Sequence, residues 1–255
     1  MSGRLHLVIC DTFAPEVRAL PQASFADVRF SFFDDRCRNP PLEWPDVEGL
    51  LAGCADCTQG KIVGAAVCLR QLGSLASAPY PVETHTLQQC LHLVAPRSVV
   101  DRETQHGAYC VTPGWLTHWQ VQLDRWGFDR ETAAAFFGES ARRVLLLDTL
   151  GDERSRRDLE AFAAAVRLPH AVIHVGLAHF EASLTRIVLA WRASERPQAP
   201  GGGVERSPLQ ANYALALDLL GTLIRDARSE ADAVQGILDS VQMRFAPQQA
   251  RFLAV

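Results

Sequence analysis

The chain has 255 residues, of which 48% are hydrophobic and 21% are charged. This length and composition are typical of a globular protein with one large domain, or with one domain and an appendage. The formal net charge of −4 argues against binding to nucleic acid or to an anionic membrane, because either would need a concentrated basic face. We therefore expect neither nucleic acid nor membrane as a partner.

Six short apolar runs are predicted to be strands. In chain order they are residues 5–10, 28–33, 62–69, 108–112, 144–148 and 171–175. The runs are continuous and mostly rich in β-branched or aromatic residues, without polar alternation. Such runs suit strands that are buried on both faces, as in a parallel sheet covered by helices.

Helical periodicity is found between these runs, and it is clearest at residues 131–138, 153–166 and 177–191. Residues 83–92 are predicted to form a further helix. Strand and helix alternate from residue 144 onward, which favours right-handed βαβ crossovers. The prediction is an α/β domain over residues 1–195, with a layered, mostly parallel sheet flanked by helices.

The C-terminal part of the chain has a different pattern. Residues 196–208 include three consecutive glycines and are predicted to be a linker. Residues 209–255 then carry small or apolar side chains at alternating spacings of four and three, from Tyr213 to Phe245. This heptad pattern predicts a long coiled-coil-like helix that forms a homodimer, or one that packs on its own domain. We also expect that an output domain is missing after it.

The seven cysteines are expected to be free thiols. The chain has no apolar signal peptide and no apolar run of about 20 residues, which predicts a cytoplasmic protein in a reducing compartment. Cys54 and Cys57 have C-x-x-C spacing, but a structural zinc site needs a second pair. A redox motif of this kind should open a helix directly after a strand, whereas this pair precedes one. We predict that Cys54, Cys57 and Cys37 take no part in a site.

Three other cysteines, Cys10, Cys68 and Cys110, fall at or near the ends of predicted strands. In open α/β sheets, ligands bind beyond the carboxyl ends of the strands. His85 and Cys90 are five residues apart in a predicted helix, so they share a site only if one lies at the helix start or in the preceding loop. Thiolates with a neutral imidazole suit zinc, or the axial ligation of a haem or corrinoid. The alternative is that these cysteines are small core residues.

Several motifs resemble a prokaryotic family known as domain of unknown function 1638, or DUF1638. Residues 106–116 resemble its G-x-Y-x-x-T-x-G-W stretch, and residues 144–149 are similar to its apolar strand ending in Asp-Thr. Cys68 stands where the family carries a Cys at a Gly-rich strand end, and Cys90 stands at the end of its frequent His-Asp-Cys. Gln88 replaces that histidine here, so His85 or another group would have to substitute for it.

The resemblance covers residues 4–192. It implies a metal- or cofactor-binding α/β domain, sometimes found near corrinoid methyl-transfer systems or joined to signalling modules. The C-terminal heptad segment lies outside the shared region and resembles the signalling helices that link sensory domains to output domains.

Two strand-end loops are candidates for cofactor binding. Thr112, Gly114 and Trp115 occupy a strand-to-helix turn whose free N–H groups could hold an anionic or carbonyl group. Asp148 and Thr149 occupy the corresponding position after the next strand. Ordinary turn chemistry is the alternative for both loops, and neither is a P-loop or a G-x-G-x-x-G motif.

These observations predict a cytoplasmic sensory module, without enzymatic activity, that signals through its C-terminal helix. It would bind a metal ion or a metallocofactor, either zinc, haem or a corrinoid, through Cys68, His85, Cys90 and Cys110. One alternative is a corrinoid- or zinc-linked methyltransferase or an accessory enzyme. Another is an interaction protein whose cysteines are only core residues.

Overall fold

The structure is a computed structural model, and it describes residues 3–37, 40–73 and 77–194. The predicted linker at 196–208 and the predicted C-terminal helix at 209–255 lie outside these residues. In the part that is described, no helix combines the length and the apolar composition needed to cross a membrane.

The first half of the chain forms a four-stranded parallel sheet. Its strands are β1 (Arg4–Cys10), β2 (Val28–Phe33), β3 (Cys57–Ala65) and β4 (Val82–Leu87). They are arranged in the order β2-β1-β3-β4, and every neighbouring pair is parallel. Strand β1 is central, and its apolar run is fully buried from Leu7 to Ile9, as the lack of polar alternation predicts.

A second parallel sheet has three strands. These are β5 (Ala108–Val111), β6 (Arg143–Asp148) and β7 (His170–His174), in the order β5-β6-β7. The predicted α/β class with parallel strands flanked by helices is therefore confirmed. In the described part of the chain, the strands form two separate hydrogen-bonded sheets, whereas a single sheet was predicted.

Nine α-helices surround the two sheets in the described ranges. They are α1 (Ala14–Ala19), α2 (Trp44–Ala52), α3 (Ala66–Leu69), α4 (Arg97–Gln105), α5 (Pro113–Thr117), α6 (Trp119–Arg125), α7 (Arg130–Ser140), α8 (Glu153–Val166) and α9 (Ala178–Ser194). Aspartate N-caps begin two of the longer ones. Asp129 accepts the N–H of Thr132, and Asp152 accepts the N–H of Ser155, both at 2.8 Å.

The core follows from the alternation of side chains along β1. Leu5, Leu7 and Ile9 pack into an apolar cluster that also contains Leu145 and Leu147 of β6, so this cluster joins the two sheets. The opposite face of β1 packs under α2 and α3 in a second cluster. A third cluster, rich in aromatic rings, lies between α5, α7, α8 and the second sheet. The strand period of two thus builds a layer on each face.

Two sequence-based predictions about the local structure are wrong. Residues 83–92 were predicted as a helix, but Val82–Leu87 is strand β4, followed by a 3-10 helix at Cys90–Leu93. Branched residues occupy every second position from Val82 to Thr86, and this period of two favours a strand. The predicted strand at 62–69 ends at Ala65, because the next four residues form helix α3.

Candidate functional site

The carboxyl ends of the four strands in the first sheet lie side by side, within one residue of the same level. A cysteine stands at or shortly after each of these ends. They are Cys10 at the end of β1, Cys37 after β2, Cys68 after β3 and Cys90 after β4. We call these four residues the thiol edge. Parallel pairing brings them together from positions that span 80 residues of sequence.

The thiols of this edge influence one another. Burial, and then the neighbouring thiol of Cys90, raise the pKa of Cys37, and Cys68 contributes to the same rise. Burial and then Cys68 raise the pKa of Cys90 to about 11. Burial likewise raises the pKa of Cys10, with a smaller contribution from Cys37. Burial and then Asp35 raise the pKa of Cys68. All four are therefore protonated thiols.

Two carboxylates lie beside the thiol edge. Asp11 follows Cys10 directly, and its pKa is raised by burial and then by Asp35. Asp35 is only 4% exposed and accepts a hydrogen bond from the side-chain amide of Gln122. A bound metal cation would stabilise ionised thiols and carboxylates at one place, because coordination deprotonates a thiol.

A cavity of about 270 Å³ opens between α1, α5 and the start of α8. The charged or ionisable side chains that line it are Asp11, Arg18, His118, Asp152 and Arg154. Asp11 belongs both to this cavity and to the surroundings of the thiol edge. A small charged molecule bound in the cavity would therefore lie close to the thiols.

A second group of ligating side chains lies toward the amino ends of the same strands. One ring nitrogen of His6 and the Sγ atoms of Cys54 and Cys57 lie within 4.8 Å of one another. Such a Cys/His group could bind a metal, but the two sulfur atoms are joined in a disulfide. The expectation of seven free thiols was wrong for this pair, and five cysteines remain free.

This second group was missed because no local signal connects its members. His6 is about fifty positions away from the cysteines in sequence, and only the parallel pairing of β1 with β3 brings them together. The C-x-x-C spacing alone was visible in the sequence.

Comparison with known protein families gives a match over the middle of the chain. Residues 47–184, more than half of the chain, match the family described as "Protein of unknown function (DUF1638)". The chain belongs to the DUF1638 family. No curated protein and no solved structure matches it.

The part of this DUF1638 chain that matches contains all four predicted metal ligands. Cys68 and Cys90 lie within electrostatic reach of each other at the thiol edge. His85 is an exposed residue of strand β4, and its pKa is lowered by partial burial, Lys61 and Arg186. Cys110 lies in β5, on the second sheet, beside residues of α4 and β6. The structure thus brings two of the four together and places the other two in different surroundings.

The predicted cofactor-binding residues of the DUF1638 motif lie around α5. Thr112 caps this helix, since its hydroxyl accepts the N–H of Trp115 at 3.3 Å. The Trp115 ring packs against Phe162, with the ring centres 5.0 Å apart. Gly114 lines the cavity. Of these three residues, Gly114 is the one that a molecule in the cavity would meet.

Asp148 and Thr149, the other predicted cofactor-binding residues, are buried and engaged with protein groups. Asp148 accepts the N–H of Gly151 at 2.7 Å and lies 2.8 Å from Nδ1 of His174. The Thr149 hydroxyl donates to Glu16 at 2.7 Å. Both residues hold the loop between β6 and α8 in place. Leu150 and Asp152, which follow them in this loop, line the cavity.

Proposed function

We propose that this DUF1638 protein binds a metal ion or a metallocofactor at the thiol edge. The observation that supports the proposal is that each strand of one parallel sheet contributes a cysteine to a common edge, where the thiols interact. Soft thiolates are preferred ligands of zinc and of several metallocofactors. Cys68 and Cys90 are the central ligands, with Cys10 and Cys37 beside them.

The spacing of the thiols bears on the size of the bound group. Sulfur atoms around one tetrahedral zinc ion, with Zn–S bonds of about 2.3 Å, are about 3.8 Å apart. Among the described residues, three ligand atoms come within 4.8 Å of one another only in the group of His6, Cys54 and Cys57. A single ion therefore requires the loops of the thiol edge to close around it, whereas a larger metallocofactor does not.

The test is to purify the full chain anaerobically under reducing conditions, then measure its metal content and its visible spectrum. We expect bound metal or a coloured cofactor, and a higher melting temperature on zinc addition, because a ligand of the folded state stabilises that state. Cys68→Ser and Cys90→Ser should lose most of the bound group. Cys110→Ser is the matched control, since Cys110 is a free cysteine on the second sheet, and it should retain the group.

A colourless, metal-free protein that zinc does not stabilise would contradict the proposal. So would equal losses in Cys90→Ser and Cys110→Ser, because the loss would then not depend on the thiol edge.

A sensory role is the second part of the proposal. The supporting feature is the heptad pattern of residues 209–255, which would pair two chains and transmit the state of the bound group. Light scattering on the full chain and on a chain ending at residue 204 tests this pairing. A dimer that becomes a monomer on truncation is expected, and a monomer in both cases contradicts the pairing.

A methyltransferase or an accessory enzyme is the alternative function. The charged cavity beside the thiol edge favours it, because a substrate bound there would lie near a metal-activated thiolate. The metal-loaded protein would then show turnover with a methyl donor, and this turnover would not require residues 209–255.

A further inference from the structure

The buried His6 ring decides what the group of His6, Cys54 and Cys57 can do. His6 is 0% exposed, and both of its ring nitrogens face hydroxyl groups. Nδ1 lies 2.5 Å from the Tyr80 hydroxyl, and Nε2 lies 2.7 Å from the Ser31 hydroxyl. The Tyr80 hydroxyl donates to the backbone oxygen of Leu51 at 2.9 Å. Its oxygen therefore accepts the Nδ1–H of His6, and Ser31 donates to Nε2.

This pattern argues against a metal at the group. A metal on either nitrogen would displace one hydroxyl and leave it without its buried partner, which is costly. Burial and then Arg29 lower the pKa of His6 to about 4, so the ring is neutral at physiological pH. Both ring nitrogens of His6 already have hydrogen-bond partners. A disulfide between Cys54 and Cys57 leaves these hydrogen bonds in place, because it needs no ligand from the histidine.

The two cysteines join the end of α2 to the start of β3. The Cys54 N–H donates to the backbone oxygen of Leu51 at 3.3 Å, and Cys57 is the first residue of β3. Their Cα atoms are 5.5 Å apart, within the usual range for a disulfide. Both cysteines are buried, and the two residues between them in the chain, Ala55 and Asp56, are exposed.

The disulfide closes a loop of only four residues, so it removes little conformational entropy from the unfolded chain. The fold also holds α2 in place by other means. The Tyr80–Leu51 hydrogen bond does not involve the sulfurs, and Leu51 is fully buried in the cluster under α2 and α3. Opening the disulfide is therefore a local change that the folded chain tolerates.

We propose that Cys54 and Cys57 form a reversible dithiol–disulfide pair, separate from the thiol edge. Because both sulfurs are buried, the exposed turn at Ala55 and Asp56 must open locally before reaction. A thiolate of a small dithiol reductant then attacks one sulfur, forms a mixed disulfide and releases the other cysteine as a thiolate. The second thiol of the reductant then displaces the first cysteine. Two electrons and two protons pass to the pair, and the reductant leaves as its own disulfide. Oxidation by a small disulfide reverses both steps.

The experiment uses the full wild-type chain and needs no variant that could misfold. The protein is purified in air, quenched in acid, unfolded and alkylated, and the alkylated cysteines are located by peptide mass spectrometry. We expect Cys54 and Cys57 to be protected and the five free cysteines to be labelled. After native incubation with dithiothreitol, about 80% or more of the pair should be labelled, on the premise of a reversible couple, and protection should return on addition of oxidised dithiothreitol.

Three results would overturn the proposal. The first is labelling of the pair equal to that of the other five cysteines in the protein purified in air. The second is that Cys54 and Cys57 stay protected from alkylation after incubation with dithiothreitol under native conditions, because the disulfide would then be structural and not reversible. The third is that zinc protects the reduced Cys54 and Cys57 from alkylation, because the pair would then be a metal site.

Discussion

The Glu16 side chain is 0% exposed, in helix α1 beside the loop that follows β6. One of its oxygens accepts the Thr149 hydroxyl, and the other has no hydrogen-bond partner among the described residues. Burial is the main reason that its pKa is raised to about 7, and Asp152 adds to the rise. Since the unfolded value is 4.5, the folded state binds the proton more tightly than the unfolded state.

The sign of the resulting pH dependence follows from proton linkage. Glu16 favours the folded state below its unfolded pKa, and this contribution is lost as the pH rises from 4.5 through 7. The loss is on the order of 3 kcal/mol. We predict that Glu16→Gln, which keeps an oxygen for Thr149, is the more stable protein at pH 8. Urea unfolding at pH 5 and pH 8 measures this, and a variant with the same pH dependence as the wild type would contradict it.

Helix α5 depends on the close approach of its first turn to the residues that follow β1. A Cβ atom on Gly114 would overlap the backbone oxygen of Thr12. Only glycine permits this contact without moving the helix or the 3-10 helix at Asp11–Phe13. This contact sets the position of both Asp11 and Gly114, which line the cavity.

Gly114→Ala should therefore destabilise the protein by about 2 kcal/mol or more, through overpacking. The matched control is Gly138→Ala in α7, where a new Cβ meets nothing within 4 Å. That change should stabilise the protein by about 0.5–1 kcal/mol, because alanine favours a helix over glycine. Urea unfolding of both variants provides the comparison. Equal effects of the two changes would show that the contact with Thr12 has no special role.

How far the sequence predicts these elements depends on the range of the interactions involved. Strands β1 and β6 were predicted because a doubly buried strand has a continuous apolar run. Strand β4 is an edge strand with mostly exposed residues, so it has no such run. Cys37 was predicted to take no part in a site, yet it lies within electrostatic reach of Cys68 and Cys90. Its position depends on the register of β2 against β1, which no local pattern encodes.

At the scale of the whole molecule, the two cysteine groups lie toward opposite ends of the same strands. Cys10 is the last residue of β1, whereas Cys57 is the first residue of β3. The distance along β1 from His6 to Cys10 is about 13 Å, at about 3.3 Å per residue. Effects at sites this far apart are usually additive.

We predict that opening the Cys54–Cys57 disulfide leaves metal affinity at the thiol edge unchanged within about threefold, as additivity of distant sites implies. Competition with a coloured chelator measures the affinity under anaerobic conditions without reductant, in the wild type with the Cys54–Cys57 disulfide intact and in Cys54→Ser/Cys57→Ser, where it is absent. A tenfold difference between the two proteins would mean that the sites are coupled.

The residues of β1 between His6 and Cys10 are buried and apolar. Leu7, Val8 and Ile9 are all 0% exposed, and none of their side chains can carry a proton or a charge. They separate the neutral imidazole of His6 from the thiol of Cys10 along β1. Protons released by a metal at the thiol edge would therefore have no path to His6 through the side chains of these three residues. If both proposals hold, metal binding at the thiol edge and thiol–disulfide exchange at Cys54 and Cys57 are separate chemical events in one chain.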